Sequence, residues 1–195
     1  MDKISYALGL SIGNNFRTSG IRNLRMEDFA KGIQDVFSNV PPQLGYDQAK
    51  ELLNTYFAKL QEEKGEINEK AGNEFLRINK HKPGVTELPS GLQYQILKQG
   101  DGPKPTLSDK VQCHYHGTLI NGVVFDSSIQ RGEPAVFALT QVIAGWTEAL
   151  QLMNVGSEWR LFIPPTLAYG PHPRGEHIEA NSVLVFDLKL LSIVQ

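Results

Sequence analysis

The chain has 195 residues and a nearly balanced charge, with 19 Lys and Arg against 21 Asp and Glu and a net charge of -2. It has no concentrated basic stripe, which argues against a nucleic-acid partner because phosphate binding requires clustered cations. A hydrophobic content of 41% with 21% charged residues is typical of a globular protein that buries a core, and it excludes a disordered chain. The length favours one compact domain with a smaller module.

Residues 1–10 lack the basic stretch, apolar run and cleavage site of a signal peptide, and no later segment is apolar enough to span a bilayer. The single cysteine, Cys113, cannot form an intrachain disulfide and is expected to be a small buried hydrophobic residue. We therefore expect a cytoplasmic protein with no membrane partner. A periplasmic or surface location stays open if a leader preceded this sequence.

Apolar residues at helical spacing predict two short helices near the N-terminus. The first set is Ile4, Leu8, Ile12 and Phe16, and the second is Phe29, Ile33, Val36, Phe37 and Val40. Pro41 and Pro42 then interrupt the chain, because proline lacks an amide donor.

A long helix follows, with Asp47 as its predicted N-cap and an end near Lys82, before Pro83 and Gly84. At ~1.5 Å per residue it spans roughly 50 Å. Its apolar stripe is dense up to Leu60 and then thins among charged residues. The second half of this helix is therefore expected to be a largely solvated rod.

The N-terminal helices bear apolar faces but form too small a body to bury them alone, which predicts docking against a second copy of the chain. The alternative is packing against the C-terminal half. Residues 1–84 are thus predicted to form a helical dimerisation domain with a long linker helix, and residues 85–195 a second domain.

After Gly84 the apolar period changes from 3.6 to 2, which indicates strands. The last of them, 183–191, is long and apolar, which suits a central position in the sheet. Between the strands, 142–153 carries apolar residues at helical spacing and predicts one short helix. The fold class is therefore α+β, with an antiparallel sheet curled around a helix.

Ordered sequence blocks in this half carry a family resemblance. These blocks are 111–119, 122–128, 131–134, 142–146, 167–170 and 184–187. In this order the blocks closely resemble the FKBP family of peptidyl-prolyl cis-trans isomerases, whose fold is a half-barrel sheet wrapped around a short helix. The N-terminal half, from Ser5 to Gly9 and on to the long helix, is similar to the Mip-like bacterial subgroup, whose members form homodimers.

The resemblance implies an apolar pocket that accelerates Xaa-Pro isomerisation by desolvating and stabilising the twisted amide. The residues it implies for catalysis are Tyr115, Phe125, Asp126, Val142, Ile143, Trp146, Tyr169 and Phe186. The residues it implies for substrate binding are Arg131, Ala135, Phe137, Ala168, His177 and Ile178. No cofactor or metal is implied, because the reaction is a bond rotation.

Within that pocket, the resemblance puts Trp146 at the floor and the Tyr169 hydroxyl and Ile143 amide at substrate carbonyls. It also puts Asp126 at the edge, bonded to Tyr115 and Arg131. Two departures leave substrate preference open. Ala135 stands where many single-domain members carry an aromatic residue, and 178–181 replaces a run similar to Ile-Pro-Pro.

The expected partners are unfolded or partly folded proteins with exposed Xaa-Pro bonds, rapamycin-like macrolide inhibitors and a second copy of the chain. A chaperone or holdase that uses the same pocket with little catalysis is the alternative function. Metal binding is a weaker rival: His114 and His116 share a strand face and His172 and His177 share a loop, but no cysteine or carboxylate completes a ligand set.

Overall fold

The computed structural model describes residues 1–194. Contacts divide the chain into two compact units between Leu60 and Gln61. This division falls inside a helix, whereas the boundary between residues 84 and 85, drawn where the periodicity changes, stays a prediction. No helix among residues 1–194 is long and apolar enough to cross a membrane.

The first unit consists of α1 (Lys3–Thr18), α2 (Met26–Phe37) and the start of α3 (Tyr46–Asn79). Asp2 caps α1 by accepting a hydrogen bond from the Ser5 amide at 2.8 Å. Both short helices are where the periodicity predicts them, but α2 ends at Phe37 and leaves Val40 outside. Large apolar side chains of this unit are exposed in the single chain, namely Ile4, Leu8, Ile12, Ile33, Phe37, Leu52, Leu53, Tyr56 and Phe57.

Helix α3 differs from its prediction at both ends. Asp47 lies inside its first turn rather than at the N-cap, where its charge still complements the helix dipole. The helix ends at Asn79, and the residues up to Lys82 continue it only as turns.

The expectation that α3 beyond Leu60 is a solvated rod is wrong for one of its faces. Gly65, Gly72 and Asn79 are buried in the second unit. A Cβ at Gly72 would lie 2.7 Å from Val183 Cγ2, so the helix backbone itself packs against the chain there. Glycine contributes no apolar side chain to a stripe, so the periodicity of large residues does not reveal this contact.

Within residues 1–194, seven antiparallel strands form one sheet. They are β1 (Val85–Glu87), β2 (Gln93–Lys98), β3 (Lys110–Leu119), β4 (Val124–Ser127), β5 (Ala135–Ala138), β6 (Glu158–Ile163) and β7 (Leu184–Val194). The order is β1-β2-β6-β7-β3-β4, and β5 pairs with β3. Strand β7 therefore lies between β6 and β3, in the central position predicted for it.

The predicted helix is α5 (Ala144–Leu152), preceded by the single turn α4 (Ser128–Arg131). Gly145 allows α5 to approach β6 closely, since a Cβ there would lie 2.6 Å from Ile163 Cγ2. Trp146, Ala149 and Leu150 are buried against the sheet. The α+β class predicted from the sequence is confirmed.

Candidate active site

A cavity of about 600 Å³ opens beside the first turn of α5. The sequence-predicted residues that line it are Tyr115, Phe125, Asp126, Phe137, Val142, Ile143, Trp146, Ala168, Tyr169, His177, Ile178 and Phe186. Arg131 and Ala135 are outside this lining. Ala135 pairs with Cys113 in the ladder between β5 and β3 and lies two residues before Phe137 on the same face of β5.

The aromatic walls come from different strands and meet edge to face. Phe186 of β7 lies 5.1 Å from Trp146 and 5.3 Å from Phe125, between ring centroids, at interplanar angles of 78° and 85°. Tyr115 of β3 lies 5.3 Å from Trp146. Because aromatic rings prefer this geometry, the cluster holds a fixed shape around the cavity.

Gly117 is a residue of this site that the sequence did not single out. It lies opposite Phe186 across the pair of strands β3 and β7. A Cβ at this position would lie 2.7 Å from the Phe125 ring and 2.8 Å from the Phe186 ring. Its place in the block 111–119, two residues after Tyr115 on the same strand face, is the signal that identifies it.

Two hydrogen-bonding groups at the cavity have no partner in the part of the chain that the structure describes. These are the backbone amide of Ile143, just before α5, and the hydroxyl of Tyr169. Ile143 uses its carbonyl to accept the Trp146 amide at 2.9 Å, which leaves its N–H at the cavity. Both groups can donate to carbonyl oxygens of a bound peptide.

A polar cluster lies at the cavity edge. The Tyr115 hydroxyl donates to Asp126 Oδ2 at 2.6 Å, and Arg131 donates both to the other Asp126 oxygen and, at 2.6 Å, to the Tyr115 hydroxyl. Burial raises the pKa of Tyr115, and its bond to Asp126 adds to this. Burial opposes ionisation of Asp126 too, but the bonds from Tyr115 and Arg131 hold the pKa of that carboxyl below its usual value.

The rim of the cavity includes residues that sequence reasoning missed, namely Gln141, Arg174, Gly175 and Glu176. The last three belong to a loop closed by paired hydrogen bonds between Arg174 and Ile178, at 2.7 and 3.2 Å. Loop residues follow no periodicity, so the only signal was the unusual composition of 170–181.

The other chemically reactive side chains of this domain are engaged elsewhere. His114 and His116 each have Nδ1 within hydrogen-bond distance of a serine hydroxyl, Ser128 at 3.1 Å and Ser127 at 3.0 Å. Burial raises the pKa of Cys113 to about 12, so its thiol is not a nucleophile. Residues 1–194 contain no group of three or more His, Cys, Asp and Glu arranged to hold a metal ion.

A larger cavity, of about 790 Å³, lies between the end of α3 and the sheet. Arg160 and Asp187 at its wall already satisfy each other through hydrogen bonds of 2.6 and 2.7 Å. Its aromatic residues are the single pair Phe75 and Phe162, whereas the smaller cavity has a cluster of edge-to-face rings. We therefore place the chemistry in the smaller one.

Comparisons with known proteins show the family to which the chain belongs. A family model for FKBP-type peptidyl-prolyl cis-trans isomerases matches residues 102–191, and a model for the domain amino-terminal to such isomerases matches residues 1–96. The crystal structure of FkpA from Escherichia coli matches with a TM-score of 0.74 and 36% identity, over 98% of this chain and 95% of that one.

Curated relatives extend over nearly the whole chain. The outer membrane protein MIP of Legionella longbeachae is 46% identical over 98% of this chain and 85% of its own length. The FKBP-type 22 kDa peptidyl-prolyl cis-trans isomerase of Escherichia coli K12 is 40% identical over 97% of this chain and 94% of its own length. The name of the first relative gives the expected cytoplasmic location no support. The chain belongs to the FKBP-type peptidyl-prolyl cis-trans isomerases, enzymes that isomerise Xaa-Pro bonds.

Proposed function

We propose that the aromatic cavity around Trp146 is the active site and that it accelerates rotation about Xaa-Pro bonds by binding the twisted amide better than the planar one. The observation that carries this proposal is the cluster of edge-to-face rings lining an open cavity beside two unpaired donors. The activity belongs to the family, whereas the residue roles are our own assignment.

The chemistry explains why an apolar pocket is sufficient. Amide resonance sets a rotation barrier of ~18–20 kcal/mol, and uncatalysed Xaa-Pro bonds exchange over tens to hundreds of seconds. In the twisted state resonance is lost and the carbonyl is less polar. Transfer from water to the aromatic cavity therefore costs the twisted amide less than the planar one, and this difference lowers the barrier.

Orientation of the substrate is the second contribution. In our proposal the prolyl ring rests on Trp146, which lines the cavity. The Tyr169 hydroxyl and the Ile143 amide donate to the flanking carbonyls. These two donors fix the bend of the chain in which rotation occurs. Losing one such donor is expected to lower the rate roughly tenfold to a hundredfold.

The Asp126 carboxylate has a supporting role. Its ion pair with Arg131 and its bond from Tyr115 hold the edge of the pocket in place. Because both partners keep Asp126 ionised, its negative charge lies beside the amide as the resonance polarity disappears. Because the carboxylate is already held in position, it stabilises the twisted amide electrostatically without moving during the reaction.

Refolding of a protein whose slow step is proline isomerisation tests the proposal. The chain should accelerate this step, and a rapamycin-like macrolide that competes for the aromatic cavity should abolish the acceleration. Suppression of aggregation without acceleration would instead favour the holdase function.

We further infer that the first unit forms a homodimer. Apolar side chains of α1, α2 and the start of α3 are exposed in the single chain, and water contact with so many of them is unfavourable. A second copy covers the same apolar residues on both chains through a two-fold interface. Sedimentation equilibrium of the full chain should give twice the monomer mass, and a monomer at micromolar concentration would contradict the inference.

A further inference from the structure

The segment that follows the cavity rim is held by helix α3. Asn68 Nδ2 donates to the Ala180 carbonyl at 3.0 Å and lies 3.4 Å from Glu179 Oε2. Lys64 Nζ donates to the other Glu179 oxygen at 2.7 Å. Helix α3 therefore binds both the backbone and a side chain of this segment.

Glycines let the helix come this close. A Cβ at Gly65 would lie 3.2 Å from Ala180 Cβ, and the Gly65 carbonyl accepts a hydrogen bond from Asn181 Nδ2 at 3.4 Å. Gly72 makes the corresponding close approach to Val183 about two turns farther along the helix. With no side chain between them, helix and segment cannot move independently without losing these contacts.

The same segment carries the rim of the active site. His177 and Ile178 line the cavity directly before Glu179. The loop they belong to is closed at its base by the Asn181 amide, which donates to the Gly170 carbonyl at 2.8 Å. The helix contacts thus lie one to three residues from Ile178, whose side chain lines the cavity.

We infer that Asn68 and Lys64 are positioning residues that set the preference of the enzyme for the residue preceding proline. They act through 179–181 on His177 and Ile178, and touch neither substrate nor reacting atoms. The inference rests on the proposed function of the cavity. Charged rim residues, including Arg174 and Glu176, face the cavity, so a displaced rim changes the relative rates for apolar and charged substrates.

The test uses the full chain with Asn68→Asp, which keeps the shape but removes the donor to Ala180 and repels Glu179. Asn73→Ala is the control, because Asn73 is exposed on the same helix. The substrates are chromogenic peptides Ala-Xaa-Pro-Phe with Leu, Lys or Glu at Xaa. In N68D the ratios of kcat/KM among these peptides should change by at least about threefold, whereas N73A should keep the wild-type ratios.

A merely structural role gives a different result. In that case N68D lowers Tm and changes kcat/KM by the same factor for all three peptides. This result would overturn the inference. Glu179→Gln is a second variant that leaves the helix untouched and weakens the Lys64 contact, and it should shift the ratios in the same direction. Unchanged ratios in both variants also overturn the inference.

The proposed function can fail separately in the same series. Trp146→Leu should lose activity on every peptide. Retention of full activity by W146L would overturn the assignment of the cavity itself. Loss of activity in W146L, with unchanged ratios in N68D and E179Q, would leave that assignment standing and overturn only the positioning role.

Discussion

The Tyr115 hydroxyl donates a hydrogen bond of 2.6 Å to Asp126 Oδ2 at the edge of the aromatic cavity. This bond joins β3 to β4, and both side chains line the cavity where we place the substrate. Arg131 completes the cluster from α4. Substitution of one member of this cluster therefore also removes a partner from the other two.

Asp126→Asn should lower kcat/KM roughly tenfold, because the amide removes the negative charge and leaves Arg131 without its counter-ion. Peptide assays should show the loss mainly in kcat. Asp101→Asn, a carboxylate exposed in a loop, is the matched control and should behave as wild type. Full activity in D126N would contradict the supporting role of the carboxylate.

The pH dependence follows from the shifted groups. The pKa of Asp126 is lowered below its usual value of 3.8. Its carboxylate therefore contributes fully to kcat/KM above about pH 4, and this contribution is lost as the pH falls through the lowered pKa. The pKa of Tyr115 is raised above its usual value of 10.0. The hydrogen bond that its neutral hydroxyl donates therefore supports kcat/KM until the pH rises through the raised pKa. We expect kcat/KM to be flat between about pH 5 and about pH 9. A step in kcat/KM within this range would contradict the prediction.

Gly117→Ala should displace the aromatic walls of the pocket although it adds only one methyl group. The added methyl would meet the rings of Phe125 and Phe186, and overpacking of this kind costs about 1–3 kcal/mol of unfolding free energy. Displaced rings should lower kcat/KM at least tenfold, on the order expected for misplaced contacts. Thr118→Ala, on the other face of β3, controls for the strand. Equal kcat/KM values for G117A and T118A would contradict the prediction that displaced aromatic walls lower activity.

The packing of α3 predicts where a functional fragment begins. Residues 61–195 should fold as a monomeric, active isomerase. The fragment 81–195 loses the contact of Phe75 with Phe162. It also loses both partners of the buried Gln93, which donates to the Leu76 carbonyl and accepts from Asn79. Loss of a buried aromatic contact costs about 3 kcal/mol or more. Urea unfolding of the two fragments measures the difference. Equal stability would mean that the end of α3 contributes no packing energy.

The sequence predicts the elements better than it predicts their close contacts. Periodicity identifies α1, α2, α5 and the central place of β7, because each of these elements carries a regular pattern of apolar residues. It does not identify the burial of α3 beyond Leu60, since this depends on Gly65 and Gly72, which add nothing to an apolar stripe. That contact depends on what lies opposite the glycines, which a sequence pattern does not contain.

The candidate site divides in the same way. The aromatic walls lie in ordered blocks on strands and on α5, so family resemblance identifies them. Gln141 and the rim residues 174–176 depend instead on how the loop closes, through the bond between the Asn181 amide and the Gly170 carbonyl.

The chain offers a matched pair of tryptophans for the central claim. Trp146 and Trp159 are both 4% exposed, but Trp146 lines the cavity whereas Trp159 stacks on Tyr94 at 4.4 Å. Either substitution to leucine removes a large buried ring, so both should lower Tm. Comparison of the two therefore separates loss of stability from loss of the pocket.

The most direct measurement is kcat/KM of W146L and W159L on one Xaa-Pro peptide, at a temperature where circular dichroism shows both variants folded. We predict a loss on the order of a hundredfold for W146L and a value within about threefold of wild type for W159L. Equal losses in the two variants, or full activity in W146L, would contradict the assignment of the aromatic cavity as the active site.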